Sequence, residues 1–202
     1  MLKIVLIPSK NKNIMKNSII FLIINLLSIT IKAQALKEDR LEEYRKLTES
    51  RVADLQNYIS IITNKSLSIE ERREAIEQAK SLFLDGSKMQ VTGRNNTTKR
   101  LPIGGYLNSL LSLPQYDKVD ITNYDVATVS KFEKGVDGNY HATATYFQKF
   151  EGFKDGKAIY SDKIRKDVSV LGKVGNQDMK SDDMKIFFGD VTVRETKPLI
   201  KQ

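Results

Sequence analysis

The stretch YHATATYFQKFEGFKDGKAIYSDKIRKDVSVL, at residues 140–171, decides the fold of this chain. Apolar and polar residues alternate in both of its halves, which is the period of a β-strand, and Asp155-Gly156 separates the halves. Asp-Gly between two alternating runs is a strong signal for a β-hairpin, because both residues tolerate the positive φ angles of the turn. The sequence therefore predicts two long antiparallel strands here.

Further alternating runs extend this hairpin into a sheet. One run precedes it and is joined to it through Asp137-Gly138, and another follows it after a connection rich in Gly, Asn, Asp and Lys. A short run, Lys88–Thr92, comes earlier in the chain, before a polar loop over residues 93–100. We predict an antiparallel sheet of four long strands plus this short one. The long strands are Val119–Phe132, Tyr140–Phe153, Ala158–Leu171 and Lys185–Arg194.

Helices occupy the first half of the mature chain. Apolar residues recur every three or four positions over residues 37–63, which predicts one long amphipathic helix. Ser68 and Glu71 have the spacing of a capping box and predict the start of a second helix. Pro102 predicts the first turn of a short third helix that ends before Pro114.

This order of elements, helices first and a long strand meander last, predicts one α+β domain with the helices packed on a curved sheet. Over about residues 37–196 it resembles the nuclear transport factor 2-like superfamily, in element order and not in a residue motif. The resemblance implies a cone-shaped, cystatin-like domain with a pocket between sheet and helices, and often a dimer through the outer sheet face. With the N-terminal segment it also resembles exported proteins of Bacteroidetes.

Residues 1–35 have the composition of a signal peptide. They contain five Lys and no acidic residue, and an apolar run over residues 19–31 leads into Ala33-Gln34-Ala35. We predict cleavage near Ala35, an exported, periplasmic or secreted protein without a stable membrane span after cleavage, and a single mature domain at residues 36–202. An uncleaved membrane anchor is the alternative, and the sequence leaves Met1 or Met15 open as the true start.

Charge and composition exclude several classes of function. The net charge of +8 falls to +3 once the five leader lysines are removed, so the mature domain lacks the basic excess of a nucleic-acid binder. There is no Cys and only one His, which excludes thiolate nucleophiles and Cys-ligated metal sites. We therefore predict no cofactor, no metal site, no catalytic residue and no nucleic-acid partner.

Counting register from two-residue Asp-Gly turns places Lys149 opposite Asp162 and gathers polar side chains on the face that we assign to the interior. The candidate pocket residues are Tyr124, Lys149, Glu151, Tyr160, Asp162 and Lys166. Two alternatives stay open: Lys149 and Asp162 as an ion pair at the sheet rim, and Lys166 as a lysine whose stem packs while its ammonium reaches water.

The opposite face of the sheet is too apolar to be wholly solvated. Its candidate interface residues are Val129, Tyr146, Phe150 and Arg165, which fit a homodimer or a protein partner. Scattered surface hydrophobic residues, with Tyr146 lying against Arg165, are the alternative.

Two hypotheses of function follow. The first is an exported, non-catalytic domain that binds a small ligand or a protein partner in the periplasm. The second is an enzyme of isomerase or dehydratase type, in which Asp162 or Glu151 acts as base and Tyr124 or Tyr160 donates to a developing oxyanion. The sequence identifies neither the ligand nor the partner, and it leaves the activity, the oligomeric state and the concave face of the sheet open.

Overall fold

The computed structural model describes residues 12–92, 97–123, 127–174 and 184–199. The chain divides into two compact units, Met1–Glu42 and Glu43–Gln202, of which the first is helical from residue 12 onward. Within the part of the chain that the structure describes, none of the helices is long and apolar enough for a membrane crossing.

The elements follow one another in the predicted general order of helices and then strands. The helices are α1 (Lys12–Thr63), α2 (Ile69–Ser81) and α3 (Ile103–Leu111). The strands are β1 (Lys88–Thr92), β2 (Thr98–Pro102), β3 (Lys118–Asn123), β4 (Thr128–Val129), β5 (Glu133–Lys134), β6 (Tyr140–Lys154), β7 (Lys157–Val174) and β8 (Met184–Pro198). The prediction of an α+β fold with helices packed on a sheet is confirmed.

The capping box predicted for α2 is present. The Ser68 hydroxyl accepts from the Glu71 backbone N–H at 3.2 Å, and the Glu71 carboxylate accepts from the Ser68 backbone N–H at 2.9 Å. These bonds satisfy two N–H groups that the helix itself leaves without partners. The predicted start of α2 is therefore correct. Pro102, predicted to lie in the first turn of α3, instead ends β2 and directly precedes the helix.

Over the described ranges the sheet is mixed and has eight strands, so the prediction of a five-stranded antiparallel sheet is wrong in both respects. Its order is β2-β1-β8-β7-β6-β3, with β4 and β5 also paired to β6. The parallel pair is β1 with β8, where Met89 lies beside Val191. Because β1 and β8 are far apart in sequence, their relative direction leaves no local signal in the chain.

The first helix begins at Lys12 instead of near residue 37, and two strand segments differ from the predicted elements. The polar loop predicted over residues 93–100 ends in β2, which pairs antiparallel with β1 from Thr98 to Pro102. This strand lies at the sheet edge with mostly exposed side chains, so it lacks the apolar alternation by which strands are recognised. The long strand predicted over residues 119–132 is divided into β3 and β4, and the residues between them include Tyr124 and Val126, which lie outside the described residues.

The hairpin of β6 and β7 contains the decisive departure from the predicted register. The two-residue turn is confirmed: Lys154 pairs with Lys157, and Asp155 and Gly156 have φ angles of 51° and 72°. Phe153 still pairs with Ala158, but Gly152 then pairs with Tyr160, because β7 carries one extra residue there as a β-bulge. From this point the register is shifted by one, and a shift of one residue moves every side chain of one strand to the other face.

The helices cover one face of the sheet, called here the inner face. Arg51 of α1 donates to the backbone carbonyl of Ile186 in β8 at 3.0 Å, and the hydroxyl of Tyr44 accepts from the Met184 N–H at 2.7 Å. The apolar stripe of α1 and its partners on the sheet form the core. Its most buried members include Val52, Leu55, Ile59, Ile62, Leu107, Tyr146, Val168, Ile186 and Phe188.

The residue that pairs with Tyr160 at the bulge has to be small. A Cβ atom on Gly152 would overlap the ring of Tyr116, which packs directly on this glycine. We expect Gly152→Ala to lower the free energy of unfolding by about 2 kcal/mol, as overpacking of a buried site does. Urea denaturation measures the change.

Gly104→Ala in α3 is the matched control for Gly152→Ala. The nearest heavy atoms to its added Cβ belong to Lys80, at 3.8 Å, which is ordinary contact. We expect it to raise the stability by about 0.5–1 kcal/mol, because Ala is the better helix former. Equal effects of the two substitutions on stability would contradict the close packing of the Tyr116 ring on Gly152.

Candidate functional site

A cavity of about 280 Å³ lies between α3 and the inner face of the sheet. Its floor consists of buried side chains on β6 and β7, while exposed residues such as Ser109 and Gln115 lie at its rim. The lining residues used below are Tyr106, Ser109, Gln115, Tyr116, Gln148, Phe150, Tyr160, Asp162 and Lys166. The cavity thus combines an aromatic lining with a small number of polar groups, as ligand sites commonly do.

The structure brings three of the six predicted pocket residues together. Tyr160, Asp162 and Lys166 line this cavity from one face of β7. Lys149 and Glu151 lie on the outer face of β6 and form an ion pair with each other at 2.8 Å. Tyr124 lies outside the described residues.

The predicted pairing of Lys149 with Asp162 is wrong, and the bulge is the reason. Phe150 is the residue opposite Asp162, and Lys149 is opposite Lys163. The face assigned to β7 is correct, whereas the residues of β6 assigned to the interior face outward. The inner face of β6 carries instead Ala144, Tyr146, Gln148 and Phe150.

The correction also applies to the predicted interface. Tyr146 has 0% of its surface exposed and Val129 has 5%, so both belong to the core, and Phe150 lines the cavity. Of these four residues only Arg165 lies exposed on the outer face. Tyr146 therefore does not lie against Arg165, because the two side chains are on opposite faces of the sheet.

Three aromatic rings form one wall of the cavity. The rings of Tyr116 and Phe150 meet edge to face with their centroids 5.6 Å apart, and those of Phe150 and Tyr160 do so at 5.7 Å. Edge-to-face packing is a favourable arrangement of aromatic quadrupoles. The bulge makes this wall possible, since it places Tyr160 and Phe150 on the same face.

Asp162 is a buried carboxylate with one oxygen bonded and one unbonded. The Tyr160 hydroxyl donates to its Oδ2 at 2.6 Å, while its Oδ1 is buried and has no hydrogen-bond partner in the described part of the chain. Burial raises the pKa of Asp162, although the bond from Tyr160 and the charge of Lys166 act in the opposite direction. The side chain is therefore held closer to its neutral form than an exposed aspartate is.

Lys166 is buried to the same degree, with 3% of its surface exposed. Its Nζ donates to Gln148 Oε1 at 3.1 Å and lies 5.7 Å from the centre of the Tyr106 ring. Burial lowers the pKa of Lys166 to about 8, against an opposing contribution from Asp162. The prediction that this lysine extends to water is wrong: its head stays inside the domain.

Gln148 is the polar residue that the sequence analysis missed. It is 2% exposed, and none of the residues that the structure describes forms a hydrogen bond with its Nε2 atom. Since the ammonium of Lys166 only donates, the oxygen of the amide must face it, which leaves the NH₂ group as the unbonded end. The alternation of β6 does not identify Gln148 as an inner residue, because the face of β6 depends on the bulge in β7.

Two other clefts lack such groups. One, of about 370 Å³, lies between the end of α1 and β3, and the other, of about 520 Å³, lies beside α1 and β8. Four buried side-chain atoms lack a hydrogen-bond partner among the described residues: Asp162 Oδ1, Gln148 Nε2, the Tyr146 hydroxyl and Ser161 Oγ. None of these four residues lines either cleft. Among those same residues, no three acidic or imidazole groups come together in a way that would hold a metal ion.

A comparison of the chain with protein-family models and with curated proteins found no match. The fold and the site therefore define only a structural class of protein, namely an α+β domain with a partly polar cavity under a short helix.

Proposed function

We propose that this protein is an exported, non-catalytic α+β domain that binds a small molecule in the cavity between α3 and β6–β7. The single observation that carries the proposal is the pair of buried, unbonded polar atoms at the cavity, Asp162 Oδ1 and Gln148 Nε2. Leaving such an atom without a partner costs about 1–3 kcal/mol. A ligand that hydrogen-bonds to both atoms would offset this cost. No group among the described residues forms these hydrogen bonds.

The proposal includes the export of the protein and a cone-shaped domain of the nuclear transport factor 2-like type. The composition of residues 1–35 supports export, and the position of the cavity between helices and sheet supports the cone. Intact mass and N-terminal sequencing of the protein from its own cells test the first point. A chain that begins after Ala35 is expected, and a full-length chain in the membrane fraction would contradict it.

The experiment on binding uses four small probes that share one aromatic body: 4-hydroxyphenylacetate, its amide, the corresponding alcohol 4-hydroxyphenethyl alcohol, and tyramine. The phenyl ring suits the aromatic wall, and the hydroxyl can donate to Asp162 Oδ1. We expect at least one probe to bind with a Kd below about 1 mM, measured by calorimetry and by ligand-observed NMR.

Two tryptophan variants on α3 decide whether a bound probe occupies the cavity. Ser109→Trp places an indole at the rim, whereas Asn108 is exposed, adjacent and outside the lining. Ser109→Trp is expected to weaken binding at least about tenfold and Asn108→Trp to leave it unchanged. No binding of any probe, or equal effects of the two variants, would contradict the proposal.

The second candidate function is the isomerase or dehydratase, and the buried contact of Asp162 with Tyr160 favours it. A carboxyl group with a raised pKa beside a phenol suits general acid–base chemistry. Against it, the Tyr160 hydroxyl already uses its proton in the hydrogen bond to Asp162 Oδ2. Deuterium exchange next to the carbonyl of cyclohexanone, lost in Asp162→Asn, would establish this function in place of the first.

A further inference from the structure

We infer that the ligand of this cavity is a small organic acid whose carboxylate binds between Lys166 Nζ and Gln148 Nε2. This inference rests on the proposed function and adds the chemical class of the ligand. Both nitrogen atoms belong to buried side chains of residues that line the cavity, and Nε2 has no hydrogen-bond partner among the described residues.

The geometry of the pair suits two oxygens. Lys166 Nζ lies 3.1 Å from Gln148 Oε1, and the oxygen and nitrogen of one amide are about 2.2 Å apart by standard bond lengths. The two donors are therefore within about 5 Å of each other on the same part of the cavity floor. A carboxylate accepts at both of its oxygens, whereas an alcohol brings one oxygen and an amide turns an N–H toward one donor.

The charges around Lys166 also favour an anion. Lys166 and Asp162 stand four residues apart on β7, and no ion pair between them is present among the described residues. The other titratable groups facing the ammonium are the phenols Tyr106 of α3 and Tyr146 of β6, which are neutral at physiological pH because burial raises the pKa of both. The ammonium is thus buried without an ion pair among the described residues, while the Asp162 carboxyl group acts on it through its charge alone. A bound anion would stabilise this arrangement.

Asp162 does not conflict with an acidic ligand. Burial raises the pKa of its carboxyl group, and the Tyr160 hydroxyl donates to it, so its charge is reduced or shielded. Its unbonded Oδ1 provides a second polar contact for a hydroxyl elsewhere on the ligand. The cavity therefore favours an acid with an aromatic or apolar body and a hydroxyl group.

The test uses Gln148→Glu in the full chain with the four probes. The substituted side chain would keep an oxygen for Lys166 but replace the NH₂ donor with a second acceptor, at nearly the same volume. For the wild type we expect 4-hydroxyphenylacetate to bind at least about tenfold more tightly than its amide and than tyramine. For Gln148→Glu we expect its affinity to fall at least about tenfold while the affinity for tyramine does not fall.

Gln115→Glu is the matched control, because it adds the same charge on an exposed residue of the cavity rim, whereas Lys166 and Gln148 are buried. It should change the affinity for 4-hydroxyphenylacetate by less than about threefold, since exposed charges are screened by salt. A misfolded variant would lose its affinity for both tyramine and 4-hydroxyphenylacetate. A loss of affinity for 4-hydroxyphenylacetate alone therefore shows the effect of removing the Gln148 NH₂ donor.

The outcomes separate this inference from the proposed function. Tighter binding of the amide, the alcohol or tyramine than of the carboxylate overturns the inference and leaves a binding domain. An equal loss of carboxylate affinity in Gln148→Glu and Gln115→Glu overturns the placement of the carboxylate. The absence of binding for all four probes overturns both proposals.

Discussion

We expect Lys166→Met to raise the free energy of unfolding by about 2 kcal/mol at neutral pH, a gain obtained by deleting a charged residue. The lowering of the lysine pKa from 10.5 to about 8 corresponds to about 3 kcal/mol of unfavourable charge burial, at 1.36 kcal/mol per pKa unit. Against this stands about 1 kcal/mol for Gln148 Oε1, which loses its donor. Met has a similar shape and no charge, so the difference between these two contributions, about 2 kcal/mol, is gained in the free energy of unfolding.

The gain should depend on pH with a defined sign. Below about pH 8 Lys166 is charged in the folded and the unfolded state, and the wild type carries the full cost of burial. Between about 8 and 10.5 the folded state has lost the proton that the unfolded state still holds, so the wild type becomes more stable as pH rises. The difference from Lys166→Met therefore shrinks over this interval.

Titration of the neighbouring groups does not disturb this comparison. Tyr106, whose pKa burial raises to about 12, stays protonated in the folded state throughout the interval. Unfolded tyrosines and the exposed lysines titrate equally in both proteins and cancel in the difference. Urea denaturation at about pH 7, 8.5 and 10 measures the two curves.

Lys157→Met is the control for Lys166→Met, since Lys157 is exposed next to the hairpin turn. A change within about 0.5 kcal/mol is expected there at every pH. Two results would contradict the burial of the Lys166 ammonium: a destabilised Lys166→Met variant, or a difference from the wild type that does not change between neutral and alkaline pH.

We expect the second large effect at Arg72, where substitution by Ala should lower the free energy of unfolding by about 3 kcal/mol. Arg72 lies on α2 and is 7% exposed. Its Nε donates to the carbonyl of Ile62 at 2.7 Å, and one of its terminal nitrogens donates to the carbonyl of Leu111 at 2.8 Å. These carbonyls belong to the last turns of α1 and α3, whose final C=O groups have no partner within their own helix.

One guanidinium thus holds the C-terminal ends of two helices, and its loss affects α3, which covers the cavity. Arg73→Ala, on the exposed side of α2, should change stability by less than about 0.5 kcal/mol. Arg72→Lys should recover only part of the loss, because an ammonium lacks the fixed fork that serves two carbonyls at once. Thermal or urea denaturation of the three variants measures these changes in stability. A small effect of Arg72→Ala would contradict the prediction and show that water can replace the hydrogen bonds from Arg72 to the two carbonyls.

Much of the fold was predictable because its signals are local. The capping box at Ser68 and Glu71 involves residues three positions apart, and the turn at Asp155-Gly156 requires only the conformations of two residues. Other elements were not predictable for a physical reason. Strand β2 is recognisable only through its pairing with β1, and the parallel contact of Met89 with Val191 joins residues that share no sequence pattern.

The sequence predicted three of the six candidate pocket residues correctly. The inner face of β7 is correct, since Tyr160, Asp162 and Lys166 all line the cavity. The face of β6 is wrong, so Gln148 replaces Lys149 and Glu151 as the polar contribution of that strand. Both strands alternate cleanly, and alternation alone does not show which set of residues faces the helices.

The sequence by itself determined the helices of the first half, the hairpin turn and the composition of each strand face, because these depend on residues close together in the chain. Only the tertiary structure decided how the two faces of β6 and β7 align. A single extra residue at the bulge sets that alignment, next to the place where the Tyr116 ring packs on Gly152. The bulge is why Gln148 and Lys166 meet on the inner face, whereas the sequence pattern placed Lys149 opposite Asp162.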